Sequence, residues 1–224
     1  MRARSGAVGV GAVIPLMGEL QAQRKRRPVK PRPPAAHKPW RAMTLTVDPG
    51  THCGAAIFIN GCYVDSGQGD GYDVAWIELW IKNARFFAAA ARLPLVLVLE
   101  RPPRGGQAFA GRNPAGPASV IGSRKLWTRT WCHMDTVHRH RCDVYPVSWR
   151  AAVLGMCRGP LLERMTLVRA SNLAGKVMRY PDEAVATCMG EWASRAGVVG
   201  QVLGATAADG VARARRGETG AGRG

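Results

Sequence analysis

Three carboxylates in the sequence have the residue type and the position of metal ligands. Asp48 and Glu100 each directly follow a short apolar, β-prone run, and Asp182 lies where a helical pattern begins. A charge at the end of a buried strand is costly unless a partner offsets it. Carboxylate oxygens are the ligands that Mg²⁺ prefers. The sequence therefore predicts a divalent-metal site, provided that the fold brings the three residues together.

The first of these acids precedes a predicted hairpin. Asn60 and Gly61 separate the β-prone runs 53–59 and 62–65. Both residues tolerate the positive φ of a type I′ turn, which makes this pair a strong hairpin signal. Asp48 therefore ends a first strand that leads into a hairpin.

A helix and a buried strand follow the hairpin. Apolar residues recur at intervals of three and four over 73–91, which is typical of an amphipathic helix. The run 95–99 is continuously apolar and is flanked by prolines, which is typical of a strand buried on both faces. The remaining predicted elements are helices over about 119–137, 148–154 with Ser148 as N-cap, 161–173 and 181–195, and a short strand over 142–147.

The order of these elements predicts an α/β fold. Three antiparallel strands come first, and the later strands follow helical crossovers, which give parallel pairing in a mixed five-stranded sheet with helices on both faces. The carboxyl ends of the first and fourth strands are then neighbours, which brings Asp48 and Glu100 together. Asp182 lies in the first turn of a helix, where the helix dipole favours a carboxylate, and it supplies the third acid.

Positive charge is concentrated at the two ends of the chain. The 224 residues carry a net charge of +17, of which +6 falls in residues 42–203 and +11 in the flanking segments. We predict a disordered, basic, Pro-rich arm over 1–42, one domain over 43–203 and a disordered tail over 204–224. Basic flanks favour nucleic acid as a partner, because each neutralised phosphate releases a counterion. No apolar run is long enough to predict a membrane span.

Four segments together resemble a known family. They are LTVDPG at 45–50, LVLERP at 97–102, the stretch 144–155 and DEAVA at 182–186. In this order they resemble the RuvC-like Holliday junction resolvases of the RNase H-like superfamily, and look closest to divergent phage-type members. The resemblance covers about residues 43–196 and implies an RNase H-like fold for that region.

The resemblance implies catalytic and metal-binding roles for Asp48, Glu100 and Asp182. The family usually has a fourth acid three residues after the third, where this chain has Val185, and Glu183 is the nearest alternative ligand. Two Mg²⁺ ions per site, with Mn²⁺ as a substitute, would activate a water and stabilise the leaving oxygen during phosphodiester hydrolysis.

The implied activity is that of a crossover junction endodeoxyribonuclease, which cuts branched DNA in recombination and repair. A homodimer is implied, and we expect it in the cytoplasm of a bacterial cell or of a phage-infected host. Phosphate contacts are predicted for basic residues near the site, namely Arg101, Arg104, Arg112, Arg124, Lys125 and Lys176.

Other interpretations of the same residues stay open. A protein of this fold with a weakened site would bind branched DNA without cutting it, and an RNase H-type nuclease would act on RNA–DNA hybrids. Each acid also has a simple structural use: a turn start for Asp48, an ion pair for Glu100 and a helix N-terminus for Asp182. A zinc site near residues 132–142 matches no common ligand spacing, and the chain is too short for the second domain of an actin-like ATPase.

Overall fold

A five-stranded sheet organises the part of the protein that the structure describes. The computed structural model describes residues 41–102, 115–134, 140–155, 157–195 and 198–204. The strands are β1 (Met43–Asp48), β2 (His52–Ile59), β3 (Cys62–Asp70), β4 (Leu95–Glu100) and β5 (His140–Val144). Their order across the sheet is β3-β2-β1-β4-β5, so β1 lies at the centre and β3 and β5 lie at the edges.

The strand directions confirm the predicted mixed sheet. β1 pairs with β2 and β2 with β3 in antiparallel fashion, whereas β1 with β4 and β4 with β5 are parallel. The turn between β2 and β3 contains Asn60 at φ 51° and Gly61 at φ 82°. Both values are in the left-handed region that the predicted hairpin requires. The predicted α/β class and the predicted mixed five-stranded sheet are therefore confirmed.

Five helices and a short helical segment accompany the sheet in the described residues. They are α1 (Val74–Ala91), α2 (Ala115–Met134), α3 (Pro146–Leu154), α4 (Pro160–Ala174), α5 (Pro181–Arg195) and the segment 198–204. Asp73 caps α1, because its carboxylate accepts hydrogen bonds from the backbone N–H groups of Ala75 and Trp76.

The boundary between β5 and α3 differs from the predicted one. The strand ends at Val144, and α3 begins at Pro146 rather than after Ser148 as its N-cap. Proline suits the first turn of a helix, because the N–H that it lacks has no intrahelical acceptor there. The helix therefore takes in a Pro-Val pair that the prediction assigned to the strand.

The sheet separates two hydrophobic cores. Leu97 and Leu99 of β4 pack with residues of α1 and α2, whereas Val96 and Val98 of the same strand pack with residues of α3, α4 and α5. This division follows from the alternation of side chains along a strand. Strand β4 therefore contributes to both cores.

The same alternation determines where the strand-terminal acids point. Asp48 is two residues beyond Thr46, whose Oγ1 donates a 2.8 Å hydrogen bond to the carbonyl oxygen of Ala186 in α5. Glu100 is two residues beyond Val98, which packs in the core on the α5 side. Both carboxylates therefore belong to the face of the sheet that α3 and α5 cover.

All described residues lie in one compact unit, residues 37–224. Nearly all of the predicted arm 1–42 and tail 204–224 lies outside the described residues, so their boundaries stay predictions. Among the described helices, none combines the length and the apolar character that crossing a membrane requires.

Candidate active site

Asp48 and Glu100 meet at the carboxyl ends of two central parallel strands. The β1–β4 register aligns Val47 with Leu99, so the next residue of each strand is an acid. Neighbouring strands lie about 4.8 Å apart, and both acids project to the same face. The predicted convergence of the first two carboxylates is therefore a direct result of strand pairing.

Asp182 reaches this edge because a glycine lets α5 approach β2 closely. Asp48 pairs with Gly54 in β2. A Cβ added at Gly54 would stand 1.9 Å from the carbonyl oxygen of Asp182, far inside van der Waals contact. Only glycine therefore permits the first turn of α5 to rest on β2 at this point, which places Asp182 beside the two strand ends.

The acids influence one another electrostatically. Burial raises the pKa of Asp48 well above its usual value, and the charge of Glu100, a hydrogen bond with Glu100 and the charge of Asp182 raise it further. A hydrogen bond between two carboxyl groups needs a proton on one of them, and burial favours the protonated form of Asp48. Burial also raises the pKa of Asp182, the charge of His52 opposes this effect, and the charge of Glu100 adds to it.

Helix α3 supplies two partners for Glu100. Trp149 Nε1 donates a 2.9 Å hydrogen bond to Glu100 Oε1, and a guanidinium nitrogen of Arg150 lies 3.5 Å from the same oxygen. The Arg150 guanidinium stacks over the Trp149 ring at 5.3 Å. Its charge also lowers the pKa of Asp48. One cation of the protein itself is therefore held beside the acids.

The three acids have the donor chemistry for hard divalent cations, since all their side-chain ligand atoms are carboxylate oxygens. Within the described ranges, however, no group of three or more His, Cys, Asp or Glu side chains is arranged to hold a metal ion. In the structure, Trp149 and Arg150 of α3 contact Glu100 Oε1. The three residues suit a divalent metal in chemical type, and binding one requires that the carboxyl groups be deprotonated.

Glu183, the predicted alternative ligand, lies in a separate polar network. Its Oε1 accepts a 2.7 Å hydrogen bond from Ser66 Oγ and pairs with Lys176 Nζ at 3.1 Å. Tyr63 extends the network through a 2.8 Å hydrogen bond to Ser66. This network ties the start of α5 to β3. Val185, where the resemblance implies a fourth acid, packs against the core on the α5 side.

The residues predicted to contact phosphates lie in different surroundings. Arg101 and Arg124 both pair with Asp143, at 3.0 Å and 2.7 Å. Lys125 is exposed on α2, and Lys176 is engaged by Glu183 as described above. Arg104 and Arg112 lie outside the described residues.

Four residues of this region were not singled out from the sequence. Trp149 and Arg150 lie beside Glu100. Asp143 forms ion pairs with several arginines, and Arg141 is one of them. The signal for Asp143 was a lone acid inside a short predicted strand. No comparable signal marked Arg150, because its approach to the acids depends on how α3 packs against β4.

Comparisons with known proteins show a likeness at the level of structure. The sequence matches no protein-family model and no curated protein. Among solved structures, the chain is similar to "T. thermophilus RuvC in complex with Holliday junction substrate", with 11% sequence identity and a TM-score of 0.44. That match covers 71% of this chain and 96% of the other. Function therefore has to follow from the residues of the site.

Proposed function

We propose that this protein is a metal-dependent, structure-selective endonuclease that cleaves phosphodiesters in branched DNA, with four-way junctions as its main substrate. The observation that carries the proposal is the convergence of Asp48, Glu100 and Asp182 at one edge of the sheet. Three mutually repelling acids are costly to gather. Such a cost is typical of functional sites.

Each acid has a definite part in the proposed reaction. Asp48 would be the main carboxylate ligand of the divalent cations, and Glu100 and Asp182 would supply further carboxylate ligands. Bound divalent cations supply an activated water and stabilise the charge that develops on the phosphate and the leaving oxygen. Trp149 holds the Glu100 carboxylate in a fixed orientation through its indole N–H.

Arg150 contributes a permanent positive charge to the same edge. It lies 3.5 Å from Glu100 and is more than a third exposed. A guanidinium in this position attracts the phosphate of an approaching strand. We further propose a homodimer, because two symmetric nicks resolve a junction that has an approximate two-fold axis.

A second candidate function is binding of branched DNA without cleavage. Two observations favour it: Trp149 and Arg150 already engage Glu100 Oε1, and the position of the fourth acid carries the apolar Val185. Both reduce the number of oxygens available to cations.

Cleavage assays distinguish these functions. Labelled four-way junction, linear duplex and RNA–DNA hybrid are each incubated with the protein in Mg²⁺, in Mn²⁺ or in EDTA. If the protein is a nuclease, it makes paired nicks in the junction, and this cleavage requires Mg²⁺ or Mn²⁺. Asp48→Asn is expected to lower the cleavage rate by at least about 100-fold, because carboxylate–metal interactions contribute several kcal/mol.

Glu78→Gln is the matched control, since Glu78 pairs only with the exposed Lys82 on α1 among the contacts described. Its rate is expected to equal that of the native protein. Tight binding of the junction with no cutting in either metal supports the second candidate. Preferential loss of the hybrid identifies an RNase H-type nuclease.

A further inference from the structure

Three arginines converge on a single buried carboxylate at the end of β5. Guanidinium nitrogens of Arg101, Arg124 and Arg141 lie 3.0, 2.7 and 3.4 Å from Asp143 Oδ2. The Asp143 side chain is only 8% exposed, whereas the three arginine side chains are 40%, 25% and 34% exposed. We call these four residues the Asp143 cluster.

The cluster carries more positive charge than its carboxylate neutralises. One negative charge faces three guanidinium groups, which leaves a local excess of two positive charges. Gathering like charges is unfavourable unless an anion compensates them. Nε of Arg101 and Nε of Arg124 are buried and have no hydrogen-bond acceptor among the described residues, and Asp143 Oδ1 is buried there without a donor. The cluster therefore carries an unneutralised positive charge.

The arginines are held in place by contacts other than Asp143. Arg101 donates a 3.0 Å hydrogen bond to the Tyr145 hydroxyl and stacks over that ring at 5.4 Å. Arg141 donates to Thr128 Oγ1 at 3.1 Å, one helical turn from Arg124 in α2. Long cationic side chains lose considerable entropy when they are fixed. In this protein the contacts with Tyr145 and Thr128 already restrict Arg101 and Arg141, so a ligand would cause a smaller further loss of side-chain entropy.

The cluster and the acids occupy opposite faces of the same end of the sheet. Asp143 pairs with Leu99 in the sheet. It contacts Arg124 of α2, and its other partner Arg141 contacts Thr128 of the same helix. The next residue, Val144, packs on the α5 side. Glu100 pairs with Val144 and projects to that α5 side. Arg101, which follows Glu100 directly, connects the two faces at the carboxyl end of β4.

We propose that the Asp143 cluster is a binding site for one backbone phosphate of the DNA strand that runs over the carboxyl end of β4 to the acids. Guanidinium groups bind phosphate oxygens through paired, charge-assisted hydrogen bonds. Asp143 acts as a positioning residue that keeps the three guanidinium groups close together. This inference takes from the proposed function only that DNA is the ligand. The phosphate site does not require that the protein cleave DNA.

Binding measured without metal tests the site. A fluorescein-labelled four-way junction is titrated in EDTA with the full-length protein and its variants, from about 50 to about 200 mM salt. Arg124→Gln and Arg141→Gln are each expected to weaken binding about tenfold, the loss of one charge-assisted contact. In the double variant the loss is smaller than the sum of the two, because both arginines contact the same phosphate.

Arg195→Gln is the matched control. Arg195 also pairs with a buried acid, Glu191, at 2.8 Å. It lies at the other end of α5, about 20 Å from Asp182 at 1.5 Å per residue. Its loss is expected to leave the affinity unchanged. Arg141 lies on an exposed position of an edge strand, so Arg141→Gln keeps the test decisive if Arg124→Gln impairs folding.

Two results overturn the proposal. Losses in Arg124→Gln and Arg141→Gln no larger than in Arg195→Gln show that the cluster only ties β5 to α2. Fully additive losses in the double variant exclude one shared phosphate. This binding test contains EDTA and does not depend on cleavage. A native protein that shows the expected binding pattern here, but cuts no junction in Mg²⁺ or Mn²⁺, would refute the proposed nuclease and still support the phosphate site.

Discussion

At the scale of single residues, Asp48 combines burial with two acidic neighbours. Its raised pKa means that the folded protein holds a proton there which the unfolded chain releases at lower pH. Between the pKa of an unfolded aspartate, about 3.9, and the raised native value, stability therefore falls as pH rises. The carboxylate that we propose for metal binding is thus a cost to the metal-free fold.

Replacing this carboxylate by an amide is expected to stabilise the metal-free protein. Asp48→Asn should raise the free energy of unfolding in EDTA at pH 7, because the amide brings no charge to bury beside Glu100 and Asp182. The gain should vanish near pH 3, where both states are protonated. Urea denaturation at several pH values measures it.

Asp73→Asn is the control for this substitution, because asparagine caps a helix as well as aspartate does. Its change should stay within about 0.5 kcal/mol. An Asp48→Asn protein less stable than the native one at pH 7 would contradict the account of repulsion at the site.

At the scale of elements, the site depends on how closely α5 approaches β2. The strands, the hairpin turn and α5 were predictable because they depend on local patterns: apolar runs, Asn-Gly and Pro-Asp. The close approach was not, because Gly54 shows no local signal, and its role depends on Asp182, 128 positions later. For the same reason the pairing of Arg150 with Glu100 required the packed structure.

Adding one methyl group at this contact should separate the two elements. Gly54→Ala places Cβ against the backbone of Asp182 and Glu183, which cannot rotate away as a side chain would. We expect a loss of at least about 1–3 kcal/mol in the free energy of unfolding, typical of overpacking. Urea denaturation measures the loss.

Gly204→Ala is a suitable comparison, because nothing lies within 4 Å of a Cβ built there. It should leave stability within about 0.5 kcal/mol of the native value. Equal effects of the two substitutions would show that the contact between α5 and β2 is looser than the structure indicates.

At the scale of the whole molecule, charge and fold are separate features. The domain that carries the acids has a modest excess of positive charge, and most of the net +17 lies in the flanking segments. Composition alone made this division visible. The arrangement of Arg101, Arg124 and Arg141 around Asp143 was not visible, because it joins β4, α2 and β5 through one side chain.

The flanks are expected to add affinity for DNA without selectivity. A chain of residues 41–204 should bind both junction and linear duplex more weakly, and its affinity should depend less steeply on salt, because fewer counterions are released. Fluorescence anisotropy over a salt series measures both quantities. The ratio of the two affinities should not change. An unaltered salt slope would show that the flanks do not touch DNA, and a thermal melt of the shortened chain checks that it is folded.

The position of β5 limits how two copies of this chain can associate. Among the described residues β5 is an edge strand, and the free side of an edge strand can pair with a strand of another copy. In an antiparallel two-fold pairing centred on Cys142, Arg141 of one copy would face Asp143 of the other, so opposite charges would meet. If the homodimer that we propose pairs along this edge, the charges of β5 therefore favour this one register.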